Sequence, residues 1–226
     1  MANISNQQTI HINITLVPKN PINIGRTPGE ALELKMKEIY GDTSKPVTTK
    51  FPNLFVLFDP NNQVAMNIVS EQNRIIISDN RVTPYTSRDL SKFIQFTKSS
   101  ADMIVEKTQT DGIIAYGLNI FTVIDIDQDD SSKFLLEKFI NKGTSGVDFI
   151  GGGVKLIFKG TVDSDMYRGE LRLDPRFAGL KLTPTNSIEI NHNSHFEAVS
   201  LPDLTKLNHQ INKIYAELST FLAKTL

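Results

Sequence analysis

The most constraining feature of this 226-residue chain is an order of strand and helix signals that occurs twice. An alternating strand is followed by a short helix, three strands and a long helix, first over residues 1–110 and again over residues 111–226. This repetition predicts an α+β protein with two βαβββα-type halves, packed together as one globular unit. We expect mainly antiparallel sheets, each packed by a long amphipathic helix.

In the first half, the clearest strand signal covers residues 9–17, where apolar and polar residues alternate. A period of two is that of a strand with one buried face. A capping sequence (Thr-Pro-Gly-Glu) at residues 27–30 predicts a short helix that ends at Gly41, and the long helix ends near Thr108. The three strands between these helices are predicted over 54–58, 64–69 and 74–78.

The second half opens with residues 112–127, which carry apolar side chains on both faces of the predicted strand. Such a strand is typically central in its sheet and covered on both sides. Asp130 and Ser131 can cap a short helix that ends near Gly143, and Pro202 marks the start of the final helix. The intervening strands are predicted over 147–159, 166–174 and 187–199.

The final helix has an apolar stripe that allows two interpretations. Its apolar residues recur at alternating steps of three and four, which resembles a coiled-coil heptad pattern. Tyr215 and Leu222 widen the stripe to a face that more often covers a sheet. Core packing is therefore the first interpretation, and a dimer seam is the alternative. The stripe consists of Leu204, Leu207, Ile211, Ile214, Leu218 and Phe221.

Composition limits the expected partners and location. The chain has 24 Lys and Arg against 25 Asp and Glu, a net charge of −1, so it offers no global field for nucleic acid. We expect a protein partner or self-association, and neither nucleic acid nor a membrane. The chain has no cysteine, its first residues lack a signal-peptide pattern, and no apolar run approaches the ~20 residues of a membrane span. A cytoplasmic location is expected.

No motif predicts a catalytic, cofactor or metal site, and none is assigned. The best metal candidate is the segment that holds Glu189, His192, His195 and Glu197. In a regular strand the two histidines point to opposite faces, so they could share an ion only across a turn or bulge. The role of this segment stays open.

Two sets of residues are candidates for an interaction surface. Arg168, Glu170 and Arg172 share one face of a predicted strand, which would place a row of charge on an open sheet face. The alternative is an ordinary solvated face. Phe96 and Met103 lie two turns apart on the long helix of the first half, off its main apolar stripe, and could contact the other half, another subunit or a foreign protein.

The strand Ala115-Tyr116-Gly117-Leu118-Asn119-Ile120 lies between a long helix and a short one, and the closing helix bears His209. In layout the chain resembles a sporadically distributed family of uncharacterised prokaryotic proteins of similar length. Its members carry a Gly-Leu-Arg-Tyr-Ile-Asn type signature in the matching strand, where this chain has Asn119 and Ile120 at the arginine and tyrosine positions. The resemblance implies no established activity and no site residues, but its patchy distribution is typical of accessory or defence genes.

Three functions follow as hypotheses. The first is a non-enzymatic cytoplasmic protein-interaction protein, in an accessory, immunity or antiviral-defence role, because no catalytic constellation is present. The second is a small-molecule-binding protein whose sheet and long helix enclose an apolar cavity lined by residues such as Phe121, Phe158 and Phe221. The third, least supported, is a metal-dependent hydrolase that uses the Asp and His clusters.

Overall fold

The structure, a computed structural model, describes most of the chain. The described residues are 4–21, 29–41, 44–51, 53–61, 64–71, 74–79, 90–108, 111–139 and 152–225. Three predicted features lie outside these ranges. They are the first cap residue Thr27, the helix end near Gly143 and the start of the strand predicted from residue 147.

Strands and helices are mixed along the described chain, which confirms the α+β class. In chain order they are β1 (Ile4–Pro18), α1 (Gly29–Tyr40), β2 (Val47–Phe51), β3 (Leu54–Asp59), β4 (Val64–Glu71), β5 (Arg74–Asp79), α2 (Leu90–Thr108), β6 (Ile113–Ile126), α3 (Ser131–Phe139), β7 (Val154–Val162), β8 (Asp165–Ala178), β9 (Thr183–Glu197) and α4 (Leu204–Thr225).

All these strands belong to one antiparallel sheet with the order β2-β3-β4-β5-β1-β6-β9-β8-β7. The expectation of separate sheets is wrong in this respect, because β1 and β6 pair with each other over most of their lengths. Their shared register runs from Ile4 opposite Ile126 to Pro18 opposite Ile113, with shifts at three places. Residues far apart in the sequence are thereby joined at the centre of the sheet.

The central position predicted for β6 is correct. It lies between β1 and β9. Its side chains are almost all buried on the face that packs against the helices, and they are divided between buried and half-buried on the other face. β1 also follows its predicted alternation from Ile12 onward, because Ile12, Ile14 and Leu16 are at most 1% exposed while the residues between them are partly exposed. The two strands therefore supply the middle of the core.

The described helices pack on one face of the sheet, against the side chains that the strands direct toward that face. The larger core cluster joins residues of α1, α2 and α4 to the middle of the sheet. A second cluster joins α3 and the end of α4 to β6, β8 and β9. The α4 stripe lies in these clusters, with Leu207, Ile211 and Ile214 fully buried, so its residues pack in the core of the chain itself.

Phe96, predicted to contact the other half, another subunit or a foreign protein, lies in the core of the chain itself, so the two external alternatives are wrong for this residue. Its side chain is fully buried in the larger core cluster, and the partly buried Met103 packs against the same cluster. The apolar face of α2 is broader than a single stripe because this helix contacts both α1 and α4. Phe96 is therefore not accessible to a separate partner.

Several helix ends form as their sequences predict. Asp130 Oδ1 accepts a hydrogen bond from the Lys133 amide at 2.8 Å, and Asp203 Oδ1 accepts one from the Lys206 amide at 2.8 Å. Both are N-cap bonds that satisfy an otherwise unpaired amide in the first helical turn. Gly41 follows α1 with φ of +94°, the left-handed conformation that glycine adopts at a helix end.

Strand β2 has no counterpart among the predicted elements. It is a short edge strand that pairs with β3 from Val47 opposite Phe58 to Phe51 opposite Leu54. Its sequence is largely polar and most of its side chains are exposed, so it lacks the apolar run by which a strand is recognised. Among the described helices, none is both long and apolar enough to cross a membrane.

Candidate functional site

The face of the sheet opposite the described helices carries the predicted row of charge. On β8, Arg168 and Arg172 are exposed and Glu170 is half-buried, whereas the intervening Leu171 is buried in the core. The predicted division of the strand into two faces is therefore correct. We call the side that bears these charged residues the open face.

The neighbouring strand adds two further cations to this row. β7 pairs with β8 so that Lys155 lies opposite Arg172 and Lys159 lies opposite Arg168. We call Lys155, Lys159, Arg168 and Arg172 the basic patch. Like charges directly opposite each other on paired strands are destabilising, so these pairings oppose rather than support the stability of the fold.

Glu170 is the carboxylate at the centre of the basic patch. It accepts ion-pair contacts from Lys155 Nζ at 2.8 Å and Arg172 Nε at 3.0 Å. Hydrogen bonding from Lys155, assisted by Arg172, holds the pKa of Glu170 below its usual value. Arg168 and Lys159 form no ion pair within the described part of the chain. These two cations are therefore free to meet an external anion.

Carboxylates border the patch along the strand direction. Asp174 on β8 lies opposite Glu189 on β9, beyond Arg172. At the other end, Glu197 on β9 follows His195, which lies opposite Arg168. The four cations of the basic patch are thus bordered by carboxylates in both directions along the strands.

A ladder of asparagine side chains crosses the middle of the open face. Asn13, Asn119 and Asn193 lie opposite one another on β1, β6 and β9. Asn119 Nδ2 donates to Asn13 Oδ1 at 2.7 Å, and Asn193 Nδ2 donates to Asn119 Oδ1. Each donated bond uses one of two amide hydrogens, so Asn119 and Asn193 each keep a second donor.

Beside the ladder is a pocket of about 290 Å³, which we call the Gly117 pocket. Gly117 lies between Thr15 and His195 in the sheet register, and the absent side chain leaves a depression there. The pocket is lined by Thr15, Val17, Arg74, Gly117, Asn119, Arg168, Glu170, Asn193 and His195. It is a polar pocket that adjoins the basic patch through Arg168.

A larger cleft of about 1190 Å³ lies near the start of α4. Aromatic rings form much of its inner wall, with Tyr116 stacked on Phe196 at 4.9 Å between ring centroids and Tyr167 5.2 Å from Phe196. Burial raises the pKa of Tyr116 to about 12, and burial together with a hydrogen bond to Glu217 raises the pKa of Tyr167.

Hydrogen bonds connect this aromatic wall to α4. Tyr116 Oη donates to Gln210 Oε1 at 2.8 Å, and Gln210 Nε2 donates to Asp165 Oδ2 at 2.9 Å. The same Asp165 oxygen lies 2.7 Å from Lys206 Nζ. The chain of contacts leads from a buried phenol to an exposed ammonium at the mouth of the cleft.

The two histidines of the 189–197 segment lie on opposite faces of β9, as predicted. His195 is exposed in the Gly117 pocket, whereas His192 is 3% exposed within the core. The His192 ring stacks on Phe158 at 5.8 Å, and its Nδ1 has no hydrogen-bond partner within the described residues. Burial lowers the pKa of His192 to about 4.

The three phenylalanines of the cavity hypothesis lie in different places. Phe121 contacts His11 on the open face, and Phe158 lines the larger cleft. Phe221 packs against the second core cluster. The described residues thus do not bring these three rings together around one cavity.

Comparison with known proteins gave no assignment. No protein-family model matches the chain, and no curated protein matches it. The function is therefore inferred from the geometry and charge of the described residues.

Sequence reasoning missed Lys155 and Lys159, and it also missed Arg74 and Gly117. The alternating pattern of β7 does signal that both lysines share a face, but only the register with β8 places them beside Arg168 and Arg172. Gly117 had a usable signal, because glycine inside a strong strand often marks a bend or a close approach.

Proposed function

We propose that this chain is a non-enzymatic protein-interaction protein whose basic patch binds an acidic surface of a protein partner. The observation that carries the proposal is the grouping of four cations around the single carboxylate of Glu170, in a chain whose net charge is −1. Electrostatic complementarity of this kind guides association and selects partners.

The energetics of the patch favour a binding role over a structural one. Two pairs of like charges face each other across β7 and β8, and such pairings are destabilising. The ion pairs of Glu170 offset this for Lys155 and Arg172 only. An acidic partner would relieve the repulsion between Lys159 and Arg168.

The borders of the patch favour a protein over a nucleic acid. A phosphate backbone presents evenly spaced negative charges, which proteins bind along extended cationic surfaces. Here an extended polyanion would reach Asp174 and Glu189 at one end and Glu197 at the other. A partner with a compact cluster of acidic side chains fits this pattern better.

Fluorescence anisotropy with two labelled probes tests the proposal, namely a peptide of twelve glutamates and a thymidine oligonucleotide of equal length. We expect salt-sensitive binding of the peptide that the double variant Lys159→Glu, Arg168→Glu abolishes. The control is Lys181→Glu, Lys213→Glu, which makes the same charge change at exposed positions outside the patch. Equal peptide binding by the two double variants would refute the basic patch as the binding site. Tighter binding of the oligonucleotide than of the peptide would favour a nucleic-acid partner over a protein.

The biological setting remains a prediction from the sequence. We propose a cytoplasmic accessory, immunity or antiviral-defence role, supported only by the family resemblance and by the binding surface. Deletion of the gene in its native host, followed by viral challenge, tests this role. Unchanged survival of infection would count against defence.

We also propose that the chain is an internal duplication of one βαβββα unit. Support comes from the strand order, because outward from the centre it reads β1-β5-β4-β3-β2 on one side and β6-β9-β8-β7 on the other, so that the two sides match except for the additional edge strand β2. On each side the first strand of the half is central and its last strand lies next to it. Failure of α1 and α2 to superpose on α3 and α4 by the rotation that superposes β1 on β6 would refute the duplication.

The larger cleft favours a second candidate function, the binding of a small molecule between the sheet and α4. Its aromatic wall could cover an apolar ring, and Asp165 and Lys206 at its mouth could orient polar groups. Native mass spectrometry of freshly purified protein tests this. A co-purifying compound that Tyr167→Ala releases would support it, and a mass that matches the bare chain would count against it.

A further inference from the structure

We propose that the Gly117 pocket binds a carboxylate group, from either a small organic acid or an acidic side chain. This site is separate from the binding of a protein surface by the basic patch, although both use Arg168. The proposal goes beyond the proposed function, and it depends only on the residues that line the Gly117 pocket.

The first observation is the glycine itself. Gly117 lies inside the central strand β6, where glycine weakens a sheet because it has no side chain to pack. Its backbone does not require glycine, since a Cβ at this position would meet only Ser194 O at 3.7 Å and the Thr15 Cβ at 3.8 Å. Gly117 has no positive φ. Glycine here therefore keeps space open rather than permitting a turn.

The second observation is the pair of arginines at the pocket. Arg74 belongs to β5 and Arg168 to β8, so they reach the pocket from strands on either side of the three central strands. Within the described residues neither arginine side chain forms an ion pair or a hydrogen bond. A guanidinium presents parallel N–H donors that match the two oxygens of a carboxylate.

The third observation is the floor of the pocket. Asn119 and Asn193 are held in place by the amide ladder, and each keeps one N–H available to a ligand. Polar groups fixed before binding lose little freedom when the ligand arrives. The floor can therefore hydrogen-bond an oxygen that the arginines attract.

Size and charge favour a carboxylate over a phosphate. The volume of about 290 Å³ suits a small acid or one side chain. Glu170 also lines the pocket, and its carboxylate would repel a phosphate, which carries up to two negative charges on a single group, more strongly than one carboxylate group with a single charge.

Amide NMR titrations of the intact chain test the proposal. The probes are glutarate, the peptide acetyl-Gly-Glu-Gly-amide, its glutamine counterpart and inorganic phosphate, at constant ionic strength. We expect the carboxylate probes to shift the amides of residues around Gly117, and the glutamine peptide to leave them unchanged. Binding of glutarate would identify a free acid as sufficient, whereas binding of the glutamate peptide alone would identify a side chain as the source.

Two variants separate the pocket from general charge effects. Gly117→Val fills the pocket with a residue that strands favour, and should abolish the shifts while the spectrum stays dispersed. Arg74→Gln together with Arg168→Gln should weaken binding about tenfold or more. Arg176→Gln, an exposed arginine outside the pocket, is the matched control and should bind as the wild type does.

The outcomes are distinct from those of the protein-partner proposal. Loss of glutarate shifts in Gly117→Val, with retained binding of the twelve-glutamate peptide, supports both proposals as separate sites. Pocket binding without any binding of the long peptide supports the carboxylate site and removes the protein-surface proposal. Phosphate binding without carboxylate binding, no binding of either carboxylate probe, or unchanged binding in both pocket variants would overturn the inference.

Discussion

Acidification should destabilise the fold through one buried histidine. His192 is 3% exposed, and burial lowers its pKa from 6.5 to about 4. Between these values the unfolded chain binds a proton that the folded chain does not. Stability from this residue is therefore complete above pH 6.5 and is lost as the pH falls toward 4.

The size of the effect follows from the two pKa values. A difference of one pKa unit corresponds to about 1.4 kcal/mol, so the full loss below pH 4 is about 3 kcal/mol. Between pH 7 and pH 5 the expected loss is about 2 kcal/mol, since proton uptake by the unfolded chain is then well advanced. A typical domain is stabilised by about 5–15 kcal/mol, so a loss of about 2 kcal/mol is between about one eighth and two fifths of the total.

Urea unfolding at pH 7 and pH 5, followed by circular dichroism, measures this loss. His192→Phe keeps a ring against Phe158 but cannot bind a proton, and His192→Leu serves as a second variant if the larger ring does not fit. The wild type should lose about 2 kcal/mol more than either variant over this range. An equal loss in wild type and variants would show that His192 is not the cause.

Three further variants test the core, the buried hydrogen bonds and a helix cap, all by urea unfolding at pH 7. Phe96→Ala should cost about 3–5 kcal/mol because it leaves a cavity in the core, and a cost near zero would place this ring on the surface. Tyr116→Phe should cost about 1–3 kcal/mol since it leaves the buried Gln210 Oε1 without its donor, and an unchanged stability would contradict that bond. Asp203→Ala should cost about 1 kcal/mol by removing the cap on the Lys206 amide, while an increase in stability would refute the cap.

The elements with long, regular patterns were predictable from the sequence. β1 and β6 show clear alternation or a continuous apolar run, and α4 shows a stripe that its burial confirms as core packing. The pairing of β1 with β6, which unites the strands of both halves in one sheet, was not predictable. Alternation shows which face of a strand is buried, but it does not show which strand lies beside it. The pairing of Ile14 with Leu118 depends on contacts across the whole fold.

The candidate site was predictable only in part, for the same reason. The common face of Arg168, Glu170 and Arg172 follows directly from a period of two. The placement of Lys155 and Lys159 beside them depends on the register of a neighbouring strand. Phe96 was predicted to lie off the buried face of its helix, but its side chain is in the core. A helix that contacts two other helices buries more of its circumference than one apolar stripe indicates.

The pairing of β1 with β6, which we call the central seam, limits how the chain can be divided into fragments for expression. Each strand satisfies the backbone amides and carbonyls along one side of the other, so a fragment that ends after α2 would leave β1 with a bare edge. Exposed long edges recruit other chains, and neither fragment would be a safe unit for expression. Because the partners in this seam are distant along the chain, we expect its closure to be a slow step in folding. We also expect each fragment to be unstable without the other.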